Sequence, residues 1–141
     1  MKSINWKNAI TAGIVGTILF DIVGLFITGE WWDIPKLLGA KTDLGLAYGV
    51  IGHYGNGILL AILFAGIAPS LWGPKWFRPM FFMTAETIAL VWLFMLPLLG
   101  AGVAGIDMSP MTPWITLIRH LAFALPLIFF INYKLTPSRN D

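Results

Sequence analysis

An all-α integral membrane protein, folded as an antiparallel four-helix bundle with both termini cytoplasmic, is predicted by three observations. The first is composition: 57% of the 141 residues are hydrophobic and only 11% are charged, against about 25% charged in an average globular chain. Sixteen Asp, Glu, Lys and Arg side chains cannot cover the surface of a soluble domain of this size. The second is four apolar runs, each long enough for a bilayer core of about 30 Å, which takes roughly 20 helical residues. The third is a lopsided distribution of Lys and Arg among the segments between those runs. The same numbers exclude disorder, because so apolar a chain collapses. The lack of cysteine removes disulfides, thiolate metal sites, cysteine nucleophiles and covalent c-type haem. A net charge of +2 carries no nucleic-acid footprint.

The chain is expected to form a single transmembrane domain over 1–141, with spans at 8–28, 44–68, 79–100 and 113–133. The first span follows Lys2 and Lys7, as in a secretory leader, but no small-x-small cleavage site follows it, so a retained span is expected. Residues 29–43 hold Glu30, Trp31, Trp32, Asp33 and Pro35 and are expected as a short interfacial segment of one amphipathic turn. Residues 101–112, with Gly102, Gly105, Asp107 and Pro110, read as a turn. Pro97 and Pro126 are expected to kink the third and fourth spans.

Orientation follows from the basic residues. Lys2, Lys7, Lys75, Arg78, Lys134 and Arg139 fall on the N-terminal side, and only Lys36 and Lys41 on the other. That bias expects both termini in the cytoplasm and the protein in the cell (inner) membrane. Trp6, Trp72 and Trp76 then sit at the inner interface, and Trp31, Trp32 and Trp114 at the outer one, where an indole keeps its N–H near water. Only Trp92 lies mid-span.

Small and polar residues form packing stripes, which is how helices associate in lipid. Gly13, Thr17, Asp21, Gly24 and Thr28 mark the first span; Gly45, Gly49, His53, Asn56 and Gly57 mark the second; Thr112, Thr116, His120, Phe123 and Leu127 mark the fourth.

Five ionisable residues lie within the spans: Asp21, His53, Glu86, Arg119 and His120. A charge near a helix centre costs roughly 2.5–3.5 kcal/mol on the translocon scale. A span with about 15 strongly apolar residues recovers roughly 5–8 kcal/mol on that scale, so insertion survives while each group is driven inward to a partner. At 1.5 Å per residue, Asp21, His53, Arg119 and His120 converge about 10–13 Å below the outer surface, and Glu86 sits alone roughly 20 Å down. Three uses fit that layer. As a clasp, Asp21 pairs with Arg119 and the histidines bond to Asn56, Thr116 or backbone. As a cofactor site, His53 and His120 supply both axial ligands of a b-type haem, with Gly49, Gly52 and Gly57 admitting the macrocycle and Arg119 on a propionate. As a metal, proton or small-molecule site, His53, His120 and Asp21 or Glu86 form a two-histidine, one-carboxylate set, relay protons, or bind a small substrate such as a quinone. The polar cluster is thus Asp21, Asn56, Glu86 and Arg119 around two histidines. A transporter, a metal-dependent membrane enzyme and an accessory subunit of a membrane complex all remain open, and the sequence assigns no catalytic residue. There is no phosphate-binding glycine loop and no H-E-x-x-H, and Ser3, Ser70, Ser109 and Ser138 lie outside the spans. Expected partners are the lipid bilayer, subunits of a membrane complex or further copies of the chain.

Asp21 precedes His53 by 32 positions and Glu86 precedes His120 by 34, a spacing consistent with two related helical hairpins. Ile51-Gly52-His53 and Thr116-Leu117-Ile118-Arg119-His120-Leu121 resemble segments of small four-span bacterial and archaeal membrane proteins whose activity is not established. The resemblance implies one histidine in each of the second and fourth spans, here His53 and His120, and no activity.

Overall fold

In the computed structural model, which describes residues 4–133, every regular element is helical. Four helices are long and apolar enough to cross a membrane: Trp6–Thr28, Gly45–Ser70, Phe77–Leu98 and Thr112–Phe130. Their ends lie close to the limits expected from the apolar runs. Lys2, Lys134 and Arg139, three of the six cations used for orientation, and Ser3 and Ser138 fall outside the described residues.

Helix α1 (Trp6–Thr28) starts where the Asn5 side chain accepts a hydrogen bond from the Asn8 backbone N–H at 3.1 Å, as a helix N-cap does. It ends at Gly29, whose left-handed backbone (φ 76°) lets its N–H close on the Leu25 carbonyl. Helix α2 (Asp33–Thr42) replaces the single turn expected for the 29–43 segment. Asp33 sits at its positive N-terminal end and Pro35 in its first turn, where a missing N–H costs nothing. Ile34, Leu37 and Leu38 supply the inward face that makes ten residues worth ordering. The segment is therefore a helix because its apolar spacing continues past the proline.

Helix α3 (Gly45–Ile67) runs into a short 3₁₀ turn at Ala68–Ser70. Arg78 closes that end: its Nε donates to the Gly73 carbonyl at 2.8 Å and its Nη1 to the Ala68 carbonyl at 2.6 Å. The guanidinium thereby satisfies carbonyls that a helix end leaves unpaired. The third long helix combines α4 (Phe77–Glu86), π-helical turns over Thr87–Met95, and α5 (Leu96–Leu98). The widened turns were not foreseen from sequence; Pro97, whose ring crowds the carbonyl four residues back, lies just past them. Turns over 99–111 use left-handed Gly100, Gly102 and Gly105, and α6 (Thr112–Phe130) completes the described fold.

Packing is uneven. Helix α1 lies against α3 and α6, α2 lies along α3, and α4 packs on α6. Where α1 crosses α3, a Cβ on Gly13 would come within 2.6 Å of the Ile58 Cα and 2.8 Å of the Gly57 carbonyl oxygen. Only glycine allows that approach, and in lipid such close van der Waals contact is what holds helices together. A dry core of Phe64, Phe82, Met83, Ala124 and Leu127 fills one end, joining α3, α4 and α6. Toward the other end α3 and the π-helical stretch part around a cavity of about 500 Å³. Large apolar side chains line the outward faces, with Phe26 85% and Phe129 75% exposed. A lipid environment suits these faces; water does not.

Candidate functional site

Residues from all four long helices and α2 meet around Phe20. The five ionisable residues singled out from sequence fall into two acid–histidine pairs, with Arg119 joined to one of them.

The first pair is Asp21 with His53. Asp21 has no solvent exposure. Its Oδ1 accepts from His53 Nε2 at 2.9 Å and its Oδ2 from the Tyr54 hydroxyl at 3.2 Å. Arg119 Nη2 stands 3.8 Å from the same Oδ1. The Asp21–Arg119 ion pair expected from the sequence is present at that distance, but it is not the closest contact of the guanidinium. The guanidinium makes its two-pronged bond with Asp33, at 2.6 Å from Nη1 and 2.9 Å from Nη2. Asp33 competes better because it starts α2, so its carboxylate approaches the planar fork end-on, the geometry in which both N–H groups are used. The arginine is also stacked on the Phe20 ring at 4.2 Å. A Cβ on Gly24 would run into the guanidinium, so that glycine makes the groove in which Arg119 lies.

The second pair is Glu86 with His120. Glu86 is not alone at its depth: its Oε2 lies 3.6 Å from His120 Nε2. Glu86 is 8% exposed, and its Oε2 finds no hydrogen-bond partner among the described residues. His120 Nδ1 is 2.7 Å from the Thr116 carbonyl oxygen. A carbonyl only accepts, so Nδ1 carries a proton and donates; when the ring is neutral, Nε2 then keeps a bare lone pair. The Thr116 hydroxyl in turn accepts from the Trp92 indole N–H at 2.8 Å, fixing the one mid-span tryptophan.

Phe20 joins the two pairs. Its ring centroid is 5.3 Å from that of His53 and 5.0 Å from that of His120. Each imidazole thus faces a carboxylate and leans on the Phe20 ring, His53 within hydrogen-bond distance of Asp21 and His120 3.6 Å from Glu86. His53 also presents its protonated Nε2 to Asp21, leaving Nδ1 as its free nitrogen. Among the described residues no three His, Asp or Glu side chains gather as a metal-holding group. The His53, His120 and Asp21 set is divided, since His120 turns to Glu86.

The cavity adjoins the second pair. His53, Asn56, Glu86, Thr116 and His120 supply its polar wall together with the hydroxyl-bearing Thr17, Thr42 and Tyr48, and most of the remainder is apolar, with Leu60 and Leu90 among its lining. Helix α2 roofs it through Ile34, Leu37 and Leu38. Sequence reasoning missed Asp33, Tyr54 and Phe20. Nothing marked Asp33 apart from other loop acids, but Phe20 and Tyr54 adjoin Asp21 and His53 in sequence, which was a usable sign.

Compared with family models, curated proteins and solved structures, the chain has no match.

Proposed function

We propose that this protein is a multi-pass protein of the cell membrane, its helices alternating in direction and both termini cytoplasmic. In its outer half it binds a small apolar molecule with a polar head, taken up from the bilayer into the cavity between α3 and the third long helix. Lys75 and Arg78 on one side and the acidic 29–43 segment on the other support that orientation. The observation that carries the binding function is Glu86. A carboxyl oxygen shielded from solvent and lacking a partner forfeits free energy of about 1–3 kcal/mol. It does so beside an apolar space of ligand size, where a polar head could recover that loss.

Photolabelling of the full chain in nanodiscs with a diazirine-bearing fatty alcohol tests this function. Adducts are expected on Leu60 and Val91, the buried part of the cavity lining, and to be suppressed in Gly52→Trp, which fills the cavity. Adducts confined to outward residues such as Phe26, Leu63 and Phe129 would show a bulk lipid contact and overturn the proposal.

A further inference from the structure

Resting on that binding function, the geometry points to the ligand class: we infer that the cavity selects an apolar alcohol or phenol, whose hydroxyl bridges Glu86 and His120. The two facing atoms are Glu86 Oε2 and His120 Nε2, 3.6 Å apart. That gap is longer than any N–H···O or O–H···N hydrogen bond, yet one oxygen fits within about 2.8 Å of both. What such an oxygen must do is set by the tautomer. In the neutral ring, Nδ1 of His120 spends the single proton on the Thr116 carbonyl, so Nε2 offers only a lone pair and requires a donor.

A hydroxyl meets both sides. It accepts from the Glu86 carboxyl in its acid form and donates to His120 Nε2. A carbonyl or an ether accepts from the carboxyl equally well but turns a lone pair toward the lone pair of Nε2. A carboxylate or phosphate head would bring a charge into the apolar space without a cation to meet it, because the Arg119 fork is already taken by Asp33. The neighbouring wall suits the rest of such a molecule, with Leu90, Val91 and Phe94 following Glu86 along the π-helical stretch into the cavity. Those widened turns follow directly on Glu86 in the chain, so carboxyl and apolar lining belong to one continuous element.

The test compares farnesol, farnesyl methyl ether and the hydrocarbon farnesene. Their binding to the detergent-purified full chain is measured by native mass spectrometry. Farnesol is expected to bind about tenfold more tightly than the ether, the equivalent of one hydrogen bond. The preference should fall to within about twofold in His120→Phe and persist in Glu86→Gln, whose amide still donates to a hydroxyl. Equal binding of alcohol and ether by the wild-type protein would overturn the ligand class while leaving an apolar binding cavity intact. Failure of all three to bind would overturn the binding function itself. The wild-type comparison decides the matter even where a variant does not fold.

Discussion

The two acid–histidine pairs share residue types and nearly the same sequence spacing, yet they are built to opposite ends. Asp21 is sealed from solvent and accepts from His53 and Tyr54 with Arg119 beside it. Glu86 is nearly as buried, but it faces His120 across 3.6 Å with an oxygen unbonded, at the edge of a cavity. A buried polar network is stable when every member is satisfied and costly when it is not. Both Asp21 oxygens are bonded, so the first pair belongs to the architecture, holding α1, α2, α3 and α6 together, although Arg119 Nε beside it finds no hydrogen-bond partner among the described residues. The second is the pair that the proposed function assigns to a ligand. Saturation of the carboxylate, rather than residue type, separates the two pairs.

The largest expected effect comes from breaking the clasp at its centre. Arg119→Leu leaves the Asp33 and Asp21 carboxylates without their cation, and a loss of about 3–5 kcal/mol is expected, measured by thermal or denaturant unfolding in a fixed detergent. Gly24→Val acts on the same guanidinium from the other side by occupying its groove. It should cost about 1–3 kcal/mol, as overpacking does, and Gly24→Ala should cost less. If Gly24→Val is silent, Arg119 does not need the groove.

The second pair should respond in the reverse sense. Glu86→Leu removes an unsatisfied group, so stability is expected to hold or to rise by about 1 kcal/mol, while alcohol binding weakens by about tenfold, the worth of one hydrogen bond. The smallest effect is assigned to Trp92→Phe, which frees the Thr116 hydroxyl from one donor. About 0.6 kcal/mol is the usual worth of one interhelical hydrogen bond in a membrane. A much larger loss would mean that Trp92 holds His120 in place through Thr116.

The long helices were legible in the sequence because a bilayer demands roughly 20 apolar residues in a row, and Asp21, His53, Glu86, Arg119 and His120 were legible because charge is rare inside such runs. Who pairs with whom was less so. Counting residues gives depth along a straight helix but no rotation about it, so Arg119 was assigned to Asp21, which lies within ion-pair distance, while its two-pronged contact with Asp33, outside the spans, was missed. The same count set Glu86 well below His120. It could not register the π-helical turns beside Glu86 or the reach of the two side chains. The matched spacings of 32 and 34 residues, read as a sign of two related hairpins, fall on the same residues that the fold brings together, Asp21 with His53 and Glu86 with His120. Helix α2 was underestimated because Pro35 reads as a breaker, although in a first turn it is an ordinary occupant.

The contrast between the pairs is tested most directly by the unfolding free energies of Asp21→Leu and Glu86→Leu, measured side by side in one detergent. Asp21→Leu strands the His53 N–H and the Tyr54 hydroxyl and should be less stable than wild type by about 2 kcal/mol or more, whereas Glu86→Leu should be at least as stable as wild type. A Glu86→Leu protein destabilised as much as Asp21→Leu would contradict the division into clasp and site, and would place Glu86 and His120 in the architecture as well.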